Sequence, residues 1–435
     1  MWIAVPALIL LASWVLLLRG VEPMPTWFYV FAWYPTLFLF DAIACRRGRN
    51  DHLLADRPLA LSLFLWSAPI WLFFEAVNLR LSNWYYVYLP RAPAERWAGI
   101  VLSFATVVPA VVLAERLVGA LGLARAWRTR PIALGVRDPA RLMWVGWATL
   151  AAVLVFPRWL YPLTWGAMLL AADPVVYRRR PEWSLIADLE RGEWGRVARL
   201  MLGGVLIGGI WEGYNFVSRA KWIYTVPLLE HLKWFEMPPL GFVGFPFFAL
   251  EAWAMYHALA AWGLAVPAAS PPLSHHPDDG GGWKGMKGDE KPASRRASLL
   301  VYVSVVVLSV ATLLGMERWT ISSTVPVLRF PAEPTLTSPW TVARMDPAAL
   351  AARIGVSTDS ARRVRDQAQL IVLRGIGTMH ADRLIEAHVT SVCRLASQDP
   401  VALWRALREA HPTPRPTQAE VRVWVGAAQR ACLVV

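Results

Sequence analysis

Long apolar runs dominate the chain, separated by short polar stretches that are often rich in arginine. Runs of roughly 17–25 apolar residues have the length a helix needs to cross the hydrocarbon core of a bilayer. The pattern predicts nine such spans, at 2–18, 25–45, 58–78, 97–121, 141–156, 161–177, 197–217, 240–264 and 298–316. Pro157 and Arg158 separate the fifth from the sixth, which predicts a tight hairpin. Long alternating segments of the barrel type do not occur, so strands are not expected. The first run, Trp2–Leu18, lacks a basic n-region and a small-residue cleavage site, and reads as a retained span.

Composition agrees with this pattern: 56% of the 435 residues are hydrophobic, 25 are Trp, and the mean hydropathy is positive. The net charge of +13 would suggest nucleic acid in a soluble protein. Its distribution gives it another meaning. Loops 46–57, 122–141, 178–196 and 265–297 carry 19 Lys and Arg together, against 8 in loops 19–24, 79–96, 157–160 and 218–239. The richer set belongs in the cytoplasm, which puts the N-terminus inside and, after nine spans, the C-terminal domain outside a bacterial-type inner (plasma) membrane. Cys45, Cys393 and Cys432 show neither CxxC nor zinc-ligand spacing and carry no argument for a disulfide framework or a metal cage. The adjacent His275 and His276 sit in a Gly- and Pro-rich linker, 265–297, and are not read as a metal site.

Self-comparison at an offset of 132 aligns Trp33 with Trp165, Asp41 with Asp173, Arg46-Arg47 with Arg178-Arg179 and Leu53–Asp56 with Leu185–Asp188. Five further residues then enter the second copy, and Glu75 and Asn78 align with Glu212 and Asn215. Pro109…Glu115 answers Pro246…Glu251. The expected architecture is an all-α polytopic membrane protein with a four-helix unit used twice, at 1–121 and 141–264, joined by a cytoplasmic loop at 122–140. An even number of spans per unit makes this a parallel repeat, with a pseudo-two-fold axis along the membrane normal. A ninth helix at 298–316, an extended linker at 317–343 and a small helical domain at 344–435 follow. In that domain Asp399 reads as an N-cap, and Thr417 and Glu420 have capping-box spacing.

Acids within membrane helices are costly, roughly 2.5–3.5 kcal/mol each on insertion scales, and normally face protein or water. Glu75, Glu115, Glu212 and Glu251 are therefore the candidate catalytic or ligand-contacting acids, with Glu251 the deepest. Glu75/Asn78 and Glu212/Asn215 stand at i,i+3 and share a helix face, the second pair within the stretch Trp211–Asn215. Trp84, Tyr86, Trp222 and Tyr224 follow the outer helix ends, either as a headgroup-level aromatic belt or as a lid over a cavity. These four aromatics and Asn78 and Asn215 are the expected ligand contacts. Asp41, Asp56, Asp173 and Asp188 near the paired arginines are read first as salt-bridging residues of the cytoplasmic loops, the alternative being a phosphate or metal–phosphate site. No aspartate-rich DDxxD-like motif is present, and the sequence names no cofactor.

Glu75…Trp84-Tyr85-Tyr86…Pro109…Glu115 and its copy resemble the tandem-repeat membrane lycopene cyclase domains, although that family's adjacent Pro-Glu-Glu is missing. The resemblance implies chemistry on an isoprenoid. From about 345 to 431, Leu373-Arg374-Gly375-Ile376-Gly377 with Ala381, Leu384, Val392, Leu395, Pro400, Leu403, Pro416 and Trp424 resembles a helix-hairpin-helix domain family of unknown function. That resemblance makes Gly375, Ile376 and Gly377 a candidate phosphate-binding hairpin through backbone N–H groups at a helix start. The domain holds 13 Arg and 8 acids, a modest excess for nucleic acid. The leading expectation is a binding or scaffolding membrane protein that holds a membrane lipid or apolar ligand between its repeats and a protein partner through its C-terminal domain. The alternatives are a membrane enzyme acting on an isoprenoid or other lipid, and a membrane-tethered nucleic-acid-binding protein.

Overall fold

The structure, a computed structural model, describes residues 2–49, 51–124, 127–133, 138–226, 232–268 and 295–432. Most of the 265–297 linker, with His275 and His276, lies outside them. In chain order the helices are α1 (Ala4–Leu18), α2 (Met24–Ala44), α3 (Arg57–Leu81), α4 (Pro93–Phe104), α5 (Val107–Ala120), α6 (Asp138–Val155), α7 (Pro157–Leu160), α8 (Thr164–Arg179), α9 (Leu185–Glu190), α10 (Gly195–Val217), α11 (Gly244–Ala261) and α12 (Arg295–Trp319). A compact set follows: α13 (Pro339–Val342), α14 (Pro347–Ile354), α15 (Thr358–Val372), α16 (Gly377–Glu386), α17 (Val392–Ala396), α18 (Pro400–Ala410) and α19 (Gln418–Cys432).

Among the described residues five helical stretches are long and apolar enough to cross a membrane: Met24–Gly48, Arg57–Leu81, Pro93–Ala120, Gly195–Val217 and Arg296–Trp319. A sixth would be Asp138–Val155 with Pro157–Arg179, which bend by 120° at their junction. The expected nine is thus an overcount. α1 has only 15 residues. α11 has 18 and carries Glu251 and His257, both fully buried by neighbouring helices. A helix enclosed by protein does not have to be apolar on every side. Close approach between helices rests on small residues, as at membrane helix contacts generally. A Cβ on Gly146 of α6 would lie 2.5 Å from the backbone of Ala171 in α8, and one on Gly204 of α10 would lie 2.6 Å from the Phe245 carbonyl of α11.

At one end of the bundle the chain turns through two matching junctions. The Asp41 carboxylate accepts from the backbone N–H of Leu53 (2.9 Å) and Leu54 (3.3 Å). Asp173 accepts from Leu185 (3.0 Å) and Ile186 (2.8 Å), and also from the Ser184 hydroxyl (2.6 Å). These aspartates fix backbone turns and do not make the expected arginine bridges. Asp56 caps α3 through the Leu59 N–H, and among the described residues Asp188 alone of the four pairs with arginines, Arg191 at 2.5 Å and Arg196 at 2.7 Å.

At the opposite end the structure departs from the all-helical expectation. Two short strands, β1 (Trp84–Val87) and β2 (Lys221–Tyr224), pair antiparallel. Residues 320–325, just after α12, run parallel along the free edge of β1. Tyr86 N–H donates to the Thr320 carbonyl, Ser322 N–H to the Tyr86 carbonyl (both 2.8 Å), and Val325 N–H to the Leu89 carbonyl (2.8 Å).

The C-terminal helices pack onto this layer. Their core gathers Leu370, Ile371, Ile376, Leu384, Leu395, Leu403 and Trp424, and a disulfide joins Cys393 to Cys432 across 39 residues, a pairing the cysteine spacing did not signal. Asp399 caps α18, and Thr417 and Glu420 form their capping box. The hairpin glycines are not open to a phosphate. Gly375 N–H donates to the Tyr88 hydroxyl (3.0 Å) and its carbonyl accepts from Ser323 (2.8 Å). Ile376 is fully buried, and Gly377 packs on Ser323. Tyr88 in turn donates to the Ile371 carbonyl (2.9 Å).

A Cβ on Gly375 would come within 2.2 Å of Val87, at a φ of +84°. Gly375→Ala is expected to cost at least about 2 kcal/mol through overpacking and left-handed strain. Limited proteolysis should then cut the 320–325 segment faster, and unaltered protection would contradict this docking. Burial pushes His380 down to about 4. Burial also acts to raise Glu420, but Arg415, 2.7 Å away, holds its carboxyl below the ordinary value. A histidine whose folded pKa is depressed contributes stability that is present above its unfolded pKa and is lost as pH falls toward the folded one. Domain stability should therefore fall by about 3 kcal/mol between roughly pH 6.5 and pH 4, and His380→Asn should flatten that profile in a pH series of thermal melts.

Candidate functional site

The last turn of α3 and of α10 each carries an asparagine that holds the strand following it. Asn78 donates from Nδ2 to the Trp84 carbonyl (3.0 Å) and accepts at Oδ1 from Asn83 N–H (2.9 Å). Asn215 donates to the Trp222 carbonyl and accepts from Trp222 N–H, both at 3.0 Å. Both side chains are fully buried and use their amides on strand backbone, so the expectation that they touch ligand is corrected. The strand register places Trp84 opposite Tyr224 and Tyr86 opposite Trp222, with Tyr85 and Ile223 at the centre.

Side chains alternate across a strand. Trp84, Tyr86, Trp222 and Tyr224 face the helices, whereas Tyr85, Val87 and Ile223 face the C-terminal domain with Val423 and Trp340. Trp84 and Tyr86 are buried, which excludes a headgroup belt for that pair. One turn before each asparagine lies a fully buried glutamate. Glu75 Oε1 accepts from the indole N–H of Trp71 (3.0 Å) and of Trp84 (3.0 Å) and from the Tyr86 hydroxyl (2.5 Å). Glu212 Oε1 accepts from the Tyr224 hydroxyl (2.9 Å). The second oxygen of each has no hydrogen-bond partner among the described residues.

These aromatics wall a partly open chamber with a cavity volume of about 150 Å³. Trp71, Trp84, Tyr86 and Phe104 line it from the first half of the chain, and Trp165, Trp211, Trp222, Tyr224 and Phe248 from the second. Trp71 and Trp211 meet where the halves join, with ring centroids 5.1 Å apart. Arg96 and Lys221 stand among the few charged lining groups, and Arg96 is held by Glu317 through two bonds of 2.7 and 2.8 Å. Glu75 and Glu212 lie one layer behind the wall and orient it. Trp71 was missed from sequence although it stands at i,i+4 from Glu75, the spacing that puts two residues on one helix face.

The other two candidate acids serve elsewhere. Glu251 accepts from Met168 N–H (2.8 Å), with Gly166 and Leu169 N–H groups also against it. Helical geometry breaks at Trp165 and Gly166, where φ of Gly166 is +122°, so the carboxylate caps the amides freed by that break. Its depth is explained by capping, and the break turns Trp165 into the chamber. Glu115 pairs with Arg199 (2.6 Å) across α5 and α10. Among the described residues no group of three or more His, Cys, Asp or Glu could hold a metal ion.

Glu75→Ala would strand three donors, each costing about 1–3 kcal/mol, whereas Glu212→Ala strands the Tyr224 hydroxyl and loosens the Trp222 indole, both less deeply enclosed. The first variant should therefore melt well below the second in detergent, with Glu75→Gln in between. Equal losses for the two alanine variants would contradict the hydrogen-bond account.

Residues 342–431 match a domain of unknown function, DUF4332, which covers the docked helical domain and none of the chamber. No curated protein and no solved structure matches the chain.

Proposed function

We propose that the chain is a multi-pass membrane protein that binds an apolar lipid in the aromatic chamber between two copies of one helical unit. The observation that carries this reading is the wall itself: aromatic rings from both halves, oriented from behind by buried carboxylates, enclose a space with very little polar lining. Ligand sites are mostly apolar concavities with a few placed polar groups, and this chamber fits that description. The membrane setting is supported by the five long apolar helices and by exposed leucines and valines along α1 and α12. The duplication is supported by matched bonds at Asp41 and Asp173 and at Asn78 and Asn215, and by the symmetric strand register.

The Cys393–Cys432 disulfide supports an oxidising, non-cytoplasmic location for the C-terminal domain, on the arginine-poor side of the bundle. The hairpin of that domain is engaged by Tyr88, Ser323 and Val87. This supports a role in closing the chamber roof over the alternative of a nucleic-acid tether. One specific observation favours a second reading, a membrane enzyme acting on an isoprenoid or other lipid. The Tyr86–Glu75 and Tyr224–Glu212 pairs each bring a proton-bearing hydroxyl, backed by a carboxyl, to the chamber wall, an arrangement suited to general acid chemistry.

Protein purified in nanodiscs should yield, on solvent extraction and mass spectrometry, a retained apolar species that falls at least about tenfold in Trp84→Ala/Trp222→Ala. An extract with no enriched species would overturn the binding reading. Tyr86→Phe/Tyr224→Phe keeps the wall apolar and separates the two readings: a binding chamber retains its ligand unchanged, whereas an enzyme accumulates unconverted substrate.

A further inference from the structure

The strand pair has a second cavity on its other face. A cleft of about 760 Å³ opens between the bundle and the C-terminal domain, bounded by Val87, Tyr88 and Ile223 on the strand side and by Trp340 and Gly375 on the domain side. Arg19, Arg219, Lys221, Arg344 and Arg374 all line it. Among the described residues two carboxylates pair with these five cations. Glu236 pairs with Arg374 (2.5 Å) and Lys221 (3.4 Å), and Glu22 pairs with Arg219, whose guanidinium also stacks over the Trp340 ring at 4.0 Å. The exposed side chains of Arg19 and Arg344 have neither an ion pair nor a hydrogen bond among the described residues.

Solvent alone does not account for this placement, because the cations converge from four separate elements. Arg19 ends α1, Arg219 and Lys221 flank the start of β2, Arg344 follows α13, and Arg374 lies in the hairpin. Leu17, Leu18, Phe216 and Val217, at the ends of α1 and α10, form an apolar border to the same cleft, with Leu18 81% exposed and Phe216 46% exposed. A positive pocket with an apolar border at the end of apolar helices suits a group that is anionic at one end and carries acyl chains at the other. Guanidinium groups match phosphate oxygens through two parallel N–H donors.

We propose that this cleft is an anion site that takes a phosphate group, with Arg19 and Arg344 as its free donors and Arg219, Lys221 and Arg374 as its pre-positioned floor. The site opens on the other face of the strand pair from the aromatic chamber, with Lys221 at the border of both. The shared chemistry is a phosphate monoester or diester, supplied either by an anionic phospholipid headgroup or by a soluble phosphate.

The full chain, reconstituted in nanodiscs of phosphatidylglycerol mixed with phosphatidylcholine, should retain phosphatidylglycerol selectively in native mass spectra. Arg19→Gln/Arg344→Gln should lower that retention by about tenfold or more, since each arginine near an anionic surface contributes about one favourable charge interaction. Neither side chain holds another residue, so the variant should melt like the wild type. In a second arm, inorganic phosphate is titrated against protein in phosphatidylcholine alone. Selective lipid retention without a phosphate response assigns the site to a headgroup. Saturable phosphate binding that the double variant abolishes assigns it to a soluble anion. Equal retention of both lipids together with no phosphate binding would overturn the proposal, as would a double variant indistinguishable from the wild type in both arms.

Discussion

Three hydrogen bonds converge on one buried carboxylate oxygen, Glu75 Oε1, and much of the structure depends on them. A carboxyl deep in an apolar bundle is costly unless donors surround it, and three donors at 2.5–3.0 Å go far to offset that cost. The donors are two indoles and a phenol, so satisfying the acid also fixes three large rings. Asn78 and Asn215 complete the arrangement by taking strand backbone groups into their amides. A two-stranded pair is marginal in isolation. Here the strands are tied to helix ends at Trp84 and Trp222, and the outer edge of β1 is paired with residues 320–325.

The strand pair thereby acts as a partition. One face presents Trp84, Tyr86, Trp222 and Tyr224 to the chamber, and the other presents Tyr85, Val87 and Ile223 to the C-terminal helices. Gly375 lets the helical domain come into contact with Val87, and the Tyr88 hydroxyl ties it through the Gly375 amide and the Ile371 carbonyl. A change on one face must therefore be felt by groups on the other through the same few strand residues. The two halves are alike in their anchors and differ in their support: Glu75 holds three donors, while in the second half Glu251 stabilises a break in α8 that brings Trp165 to the wall.

The acids and amides of this layer were legible in the sequence because their spacing recurs, and spacing survives where composition does not. The strands were not legible. Trp84–Val87 and Lys221–Tyr224 are four residues each, too short for an alternation signal, and they look like the aromatic ends of helices. The count of spans failed for a different reason, since apolar length cannot distinguish a lipid-facing helix from α11, which is enclosed by protein. Depth singles out Glu251 in the sequence, but the amides it caps are freed by a helix break at Trp165 and Gly166 that apolar patterning does not show. The Gly375-Ile376-Gly377 hairpin was legible as a tight turn, but not the tyrosine hydroxyl that occupies its amide. The Cys393–Cys432 bond joins residues 39 apart, and sequence spacing does not encode such a pairing.

An apolar ligand held between the two halves, against the helix-facing side of the strand pair, would show in a density map of the full chain in lipid nanodiscs. Continuous density in van der Waals contact with the Trp84 and Trp222 rings, distinct from annular lipid, is the predicted result. A chamber collapsed by inward rotation of Trp71 and Trp211, or one holding only discrete water peaks, would contradict it.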